Sequence, residues 1–357
     1  MQAWPKAGRR SAGRGRREGR ASGTAGSVSA DAGLPAWLDP ELATLTKDRF
    51  SDPAWIFERK LDGERCLAFA DGGGVRLMTR NDHDITSTFP EIAEALAAQR
   101  LGDDFVVDGE IVAFDKDETK FELLQHRLGV INPSKDLLAK VPTSYYMFDV
   151  LWAAGRDVRP LPLLERKPIL RGLLSFDDPL RYTEHRDTEG ESYYREACAD
   201  GWEGLIAKRA DSPYRAGRTK DWLKFKCESG QEFVIGGFTD PQRSRIGFGA
   251  LLLGYYDPGG RLVYAGKVGT GFTNQMLRSL HDRLAAIERP TSAFGAGPLP
   301  RPLAGVHWVE PQLVGEVGFS EWTDAGELRH PRFQGLRDDK DPSEVVREIP
   351  SSAGPGS

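Results

Sequence analysis

Between Trp55 and Arg80 the chain runs through three short stretches of alternating apolar and polar residues, 55–60, 65–70 and 75–80. They are separated only by the segment around Asp62-Gly63 and by Asp71-Gly72-Gly73-Gly74. Period-two alternation with breaks of this length predicts an antiparallel meander, so the chain must begin by building a sheet. The first break lies inside the octapeptide Glu58-Arg59-Lys60-Leu61-Asp62-Gly63-Glu64-Arg65. A lysine acts as a nucleophile only once its amine has lost a proton, and at an ordinary pKa of about 10.4 roughly one amine in a thousand is free at neutral pH. A site that uses one therefore needs burial or nearby positive charge. Glu58 and Asp62 favour the ammonium unless each is engaged elsewhere. Taken alone, a K-x-D-G is a charged surface hairpin.

Beyond the meander, a helix is expected to start at Pro90, a residue suited to the first helical position, and to run through 97. Segments 105–108 and 110–114 read as strands on either side of Gly109, 121–128 as a short helix, and 145–152 as a strongly apolar buried strand. Segments 205–208 and 222–226 are short strands. This is a strand-dominated α+β pattern: antiparallel sheets, ATP-grasp-like, with flanking helices. A second pattern starts near Gln231, with strands over 233–238, 250–256 and 262–268, a helix over 273–287, and strands over 306–314 and 317–322. That order suits an OB-fold β-barrel. The Pro- and Gly-rich 290–302 reads as a loop. The expected division is a disordered basic tail over 1–34, a first domain over 35–228, the barrel over 229–347, and a disordered tail over 348–357.

A length of 357 residues suits two domains, each with its own core. The formal charge of −5 argues against polyanionic partners only as an average. Residues 1–20 carry Lys6, Arg9, Arg10, Arg14, Arg16, Arg17 and Arg20 against Glu18, a net +6, which leaves −11 on the remainder. Local potential, and not the net figure, decides whether a groove binds phosphate. Cys66, Cys198 and Cys227 are odd in number and lack C-x-x-C spacing, so reduced thiols are expected, with no disulfide frame or zinc site. With no apolar run of about 20 residues and no signal peptide, a soluble intracellular protein is expected, with no membrane partner.

Five further clusters follow the lysine: Thr79-Arg80-Asn81, Asp108-Gly109-Glu110, Phe148-Asp149, Glu203 through Lys208, and Trp222-Leu223-Lys224-Phe225-Lys226. Each has a plain structural reading. D-G-E is commonly a hairpin turn, K-x-K a solvated strand face, Phe148 core packing, Arg80 a surface charge and Arg218 a loop residue. In this order and spacing, however, they resemble the covalent nucleotidyltransferases, most closely the catalytic core of ATP-dependent DNA ligases. The lysine segment resembles motif I, Asp108–Glu110 motif III, 146–152 motif IIIa, Glu203–Lys208 motif IV and Trp222–Lys226 motif V. The stretch 329–340, with Arg337-Asp338-Asp339-Lys340, resembles motif VI. The likeness covers about 38–345, and six ordered motifs together are highly specific. Trp55-Ile56-Phe57, Leu124-Gln125-His126-Arg127 and Leu328-Arg329-His330-Pro331 are similar to the ligase domain of bacterial end-joining ligases of the ligase D type.

The resemblance implies a nucleotidyltransferase domain followed by an OB domain, and a role for each cluster. Lys60 would attack the α-phosphorus of ATP and carry AMP. Glu58 would accept from the adenine amino group and so select ATP over GTP, with Phe148 stacked on the base. Arg65 and Arg80 would hold ribose and phosphate, with Arg218 assisting. Glu110 would meet the ribose hydroxyl or a metal, and Glu203 would be the second carboxylate for Mg²⁺ or Mn²⁺. Lys224 and Lys226, two residues apart on a strand, point into one groove and would offset α-phosphate charge. Arg337 and Lys340 would orient pyrophosphate when the OB domain closes. Asp62 fixes the turn at Gly63, and His126, His185 and His281 are structural. The implied partners are nicked or broken double-stranded DNA and end-joining or repair proteins. The implied setting is a monomer in the bacterial cytoplasm, used at the nucleoid. With only about 40 residues before the core and no polymerase or nuclease module, a minimal ligase is expected. Two other readings stay open: an RNA ligase or capping guanylyltransferase, which share the lysine motif, and a non-catalytic DNA-binding relative.

Overall fold

The computed structural model describes residues 33–99, 104–227, 229–242, 244–297, 299, 304–338 and 340–349. The expected basic tail through residue 32, Asp339 and the C-terminal residues 350–357 lie outside the described residues. Two sheets form the first lobe. One has five strands in the order Glu41–Leu45, Gly217–Lys226, Gly204–Arg209, Trp55–Lys60, His185–Asp187, antiparallel except where the first two pair in parallel. The other runs Gly74–Thr79, Glu64–Asp71, Phe105–Asp115, Thr143–Ala153, Arg156–Asp157, with Glu118–Thr119 and Leu180–Tyr182 as side branches.

Strand alternation gives each strand of the five-stranded sheet two different faces. Trp55 and Phe57, Leu205 and Ala207, and Leu223 and Phe225 point away from the second sheet into a core shared with Tyr193 and Ala197 of helix Gly190–Ala199. Their neighbours Glu58 and Lys60, Ile206 and Lys208, and Trp222, Lys224 and Lys226 point into a cavity instead. On the seven-stranded sheet, Cys66, Ala68, Val107 and Ile111 pack under helices Pro90–Ala98 and Leu163–Leu173, while Leu67, Phe69, Val106 and Phe148 meet Trp222 and Tyr214 between the sheets.

Several expectations change. Asp108-Gly109-Glu110 is no turn: Phe105–Asp115 is one strand of 11 residues running through it. The glycine is needed because a Cβ there would lie 2.5 Å from both the Tyr145 ring and the Tyr146 carbonyl oxygen. Gly63 does sit at a break, where a Cβ would meet the Ile111 oxygen at 2.2 Å. The helix expected over 121–128 spans only Phe121–Leu124. Leu34, expected at the end of the tail, packs with Trp37 on the cluster that contains Leu38. Cys198 and Cys227 form a disulfide, with Cα atoms 5.4 Å apart, and only Cys66 is a free thiol, buried. The fold brings the end of a helix beside the end of a strand across 29 residues, a proximity that sequence spacing does not carry.

Helix Leu163–Leu173 has no counterpart in the sequence reading, because Pro168 interrupts its pattern. It tolerates the proline and delivers two buried cations. Arg166 grips Asp149 with Nε and Nη2, each at 2.8 Å, and donates through Nη1 to the Leu161 and Ser212 carbonyls. Lys167 reaches Glu58.

Strands Ser229–Thr239, Leu251–Tyr256, Leu262–Val268 and Val306–Phe319 form a third sheet, with Glu288–Arg289 and Arg332–Leu336 paired to the last of these. Helix Asn274–Ala285, capped by Thr273, lies between the third and fourth of these strands in sequence and closes the core through Leu277, Leu280 and Leu284. This is the strand and helix order of an OB barrel. The two strands expected over 306–314 and 317–322 are one strand, Val306–Phe319, followed by the short Glu321–Trp322. No helix among the described residues is long and apolar enough to cross a membrane.

Arg166 and Asp149 are both fully buried, so Arg166→Met should leave an uncompensated carboxylate and cost about 3–5 kcal/mol. Urea denaturation checks this, and an unchanged midpoint would refute the pairing.

Candidate active site

The cavity between the two sheets and the barrel has a volume of about 190 Å³. All twelve residues singled out from the sequence line it: Glu58, Lys60, Arg65, Arg80, Glu110, Phe148, Glu203, Arg218, Lys224, Lys226, Arg337 and Lys340. His126, His185 and His281 do not.

One end is aromatic and closed. The Phe148 ring is met edge-on by Trp222 at 5.9 Å, and Lys208 Nζ stands 4.2 Å and 3.9 Å from the two ring centroids. Phe148 is thus both core and cavity wall. The Glu58 carboxylate, 2% exposed, is clamped by Lys208 at 2.7 Å and by Lys167 from behind. Lys167 also donates to the Phe148 and Thr183 carbonyls, at 3.1 and 3.2 Å. Burial works against the Glu58 charge, yet the two lysines hold its carboxyl below the usual range. Glu58 is therefore a fixed anion and acceptor.

At the centre, Lys60 Nζ is paired with Glu203, whose other oxygen lies 3.7 Å from Lys226. Asp62 turns aside and accepts from the Phe121 amide at 3.3 Å. Both carboxylates of the lysine motif are thus engaged elsewhere, the condition the sequence left open. Arg65 is committed to Asp108 by two bonds of 2.6 Å, with Tyr214 donating to the same carboxylate at 2.6 Å, and its guanidinium carbon lies 4.6 Å from the Phe148 centroid. Glu110 pairs with no group among the described residues. Burial pushes its carboxyl up to about 7, against the pull of Arg65, Lys60, Arg337 and Lys340.

The barrel supplies the far wall. Lys340 meets Glu232 at 3.1 Å, and Arg337 lies 3.8 Å from Glu316 and 4.0 Å from Glu232. Burial pushes Glu316 up to about 7, whereas Lys340 and Arg337 overcome burial and hold Glu232 well below the ordinary range. Lys224 is paired with Glu348, a residue expected in the C-terminal tail that instead sits in the cavity. Arg80 is paired with Glu344, and Arg218, at the exposed rim, donates to the Ala43 carbonyl at 2.5 Å.

Sequence reasoning missed Lys167, Lys208, Glu232, Glu316 and Glu348. Lys208 was within reach, since it closes the Glu203–Lys208 cluster singled out from the sequence, in which only Glu203 received a role. The other four carry no local pattern. No three His, Cys, Asp or Glu side chains converge as a metal cage among the described residues. The donors present, Glu110 and Glu203, are hard carboxylates facing a phosphate-sized basic space. That set fits a Mg²⁺-type ion completed by phosphate oxygens and water.

Comparison with known proteins places the chain in a family. The family model described as "ATP dependent DNA ligase domain" matches residues 40–226, and "ATP dependent DNA ligase C terminal region" matches 244–340. The multifunctional non-homologous end joining protein LigD of Pseudomonas aeruginosa is 39% identical over 327 residues, 90% of this chain and 38% of that protein. The corresponding LigD repair protein of Mycobacterium tuberculosis is 39% identical over 316 residues, 87% of this chain and 40% of that one. The DNA ligase of Thermococcus onnurineus is 31% identical over 305 residues, 81% of this chain and 52% of the relative. The chain thus spans about two fifths of the length of the LigD relatives. Among solved structures, a mycobacterial DNA ligase D complexed with ATP and MES superposes with a TM-score of 0.63 at 37% identity, over 87% of this chain and 98% of that one. On both family models and on identity carried across nine tenths of its length, the chain belongs to the ATP-dependent DNA ligase family.

Proposed function

We infer that this chain is an ATP-dependent DNA ligase that seals 5′-phosphate/3′-hydroxyl breaks through a lysyl-AMP intermediate. The observation that carries the reading is Lys60 at the centre of one cavity, with an aromatic, acceptor-bearing end on one side and cations from both lobes on the other. In the first step the Lys60 amine forms a bond to the α-phosphorus of ATP as the bond to pyrophosphate breaks. In the second, AMP passes to a DNA 5′-phosphate. In the third, the adjacent 3′-hydroxyl attacks that phosphate and AMP leaves. All three are phosphoryl transfers, dominated by positioning and charge neutralisation.

The fixed Glu58 anion suits the adenine amino group, a donor, and repels the carbonyl that guanine carries at the same place. Phe148 forms the stacking face. Arg65 and Arg80 border the ribose and phosphates, with Arg218 at the rim. Lys224 and Lys226 neutralise the α-phosphate, and Arg337 and Lys340 the leaving pyrophosphate. Glu203 is paired with the Lys60 amine, and attack requires that this pairing be given up. Glu110 and Glu203 would hold Mg²⁺ or Mn²⁺, which supplies further charge neutralisation at the phosphates. The substrate is nicked or broken duplex DNA. The LigD relatives support a place in end joining. The proposed setting is the bacterial cytoplasm at the nucleoid, beside other repair proteins, with the chain acting as a monomer.

Lys60→Ala should form no covalent AMP adduct with labelled ATP while unfolding like wild type. An adduct at wild-type level, or label taken from GTP in preference to ATP, would sink the reading. Arg337→Ala should adenylate slowly yet retain much of its sealing of a pre-adenylated nick, and equal loss in both assays would remove Arg337 from the pyrophosphate. Glu348 competes with the nucleotide for Lys224. Glu348→Ala should therefore tighten ATP binding about tenfold, the scale of one charge-assisted hydrogen bond in a mostly buried pair. Calorimetric titration of both proteins checks this, and weaker binding by the variant would contradict it.

A further inference from the structure

The single-turn helix Phe121–Leu124 stands between the nucleophile loop and the barrel and touches both. On the lysine side, the Phe121 amide donates to Asp62, two residues beyond Lys60, and the Asp62 amide donates to Thr119 Oγ1 at 3.1 Å. On the barrel side, Gln125, the residue that ends the helix, donates from Nε2 to the Leu336 carbonyl at 2.5 Å. Leu336 closes the strand Arg332–Leu336 and immediately precedes Arg337. The Arg337 guanidinium carbon lies 4.4 Å from the centroid of the Phe121 ring. A Cβ on Gly335 would come within 2.3 Å of Gln125 Nε2, so the amide packs close against the strand at this glycine. Two contacts of different chemistry, a hydrogen bond and a cation–π contact, thus bracket the same dipeptide from one short helix.

We propose that Gln125 and Phe121 form a ledge that seats Arg337 for the adenylation step, with Gln125 a positioning residue that touches neither nucleotide nor DNA. The proposal rests on the reading that Arg337 acts on the leaving pyrophosphate. Gln125 does not line the cavity, so its influence passes through the Leu336 carbonyl. Because the ledge is fastened through Asp62 to the break that follows Lys60 at the end of its strand, the nucleophile and the arginine are held to a common support. Sealing of a pre-adenylated nick makes no use of the leaving-group cation and has no need of the ledge.

Gln125→Ala removes the side chain, and Gln125→Glu keeps its size but leaves no donor for the Leu336 carbonyl. Each full-length variant is compared with wild type for single-turnover AMP transfer to Lys60 at saturating ATP and for sealing of a pre-adenylated nicked duplex. Thermal unfolding confirms the fold, and Arg337→Ala is run in parallel. Adenylation should fall about three- to tenfold in both Gln125 variants, the scale of one lost hydrogen bond, while their sealing matches wild type. Equal loss in the two reactions would mean that Gln125 merely packs the lobes together, and the ledge is overturned. Normal adenylation by the Gln125 variants beside a defective Arg337→Ala overturns the ledge alone. Normal adenylation by Arg337→Ala removes the arginine from the pyrophosphate, and the ledge falls with it.

Discussion

Charge can be buried between two sheets only where each charge has a partner, and this constraint organises the first lobe. Asp149 has Arg166, Asp108 has Arg65 and Tyr214, and Glu58 has Lys167 and Lys208. The Arg65 and Glu58 groups tie residues of the cavity wall to neighbouring elements, and the Asp149–Arg166 pair ties the strand that carries Phe148 to helix Leu163–Leu173. The Glu58 and Asp149 carboxyls are held below their usual range because their cationic partners outweigh the loss of water. The acceptor proposed to meet the adenine amino group is thus held as an anion by the protein's own lysines.

The barrel side is built on the opposite plan. Its carboxylates Glu232, Glu316 and Glu348 pair with cations that the proposed chemistry would give to phosphate. Glu316 stands 3.8 Å from both Lys226 and Arg337, farther than the 2.7 Å between Lys208 and Glu58. In the proposed reaction these barrel-side cations exchange carboxylate for polyphosphate, whereas the Glu58 clamp is not called upon to change partners.

Much of this was legible because strand periodicity is a two-residue rule. Once Lys60 is placed on a face, Glu58 must share it, and the same rule puts Lys224 with Lys226. The meander, the buried strand at 145–152, the barrel strand Leu262–Val268 and the helix capped at Thr273 carry equally local signals. What escaped is what depends on distant chain segments meeting. Pro168 hid the helix that brings Lys167 behind Glu58. Gly109 imitates a turn because nothing local reveals the Tyr145 ring that crosses it. Cys198 and Cys227 look unpaired because their meeting is purely tertiary. Glu348 looked like tail because its partner lies 124 positions earlier in the chain.

The join between the lobes has a mechanical consequence. Strand Gly217–Lys226 ends one residue before Cys227, and the barrel strand starts at Ser229, so the connection has almost no slack. Cys227 is bolted to Cys198, its amide donates to the Glu203 carbonyl at 3.0 Å, and Lys226 Nζ reaches forward to the Gly230 carbonyl at 2.6 Å. Any swing of the barrel must pivot within a residue or two of Lys226. In such a swing Lys226 and Glu203, on the first lobe beside the join, would keep their places. Arg337 and Lys340 belong to the barrel and would travel with it, so a hinge here would sort the cations of one cavity into those that stay and those that leave.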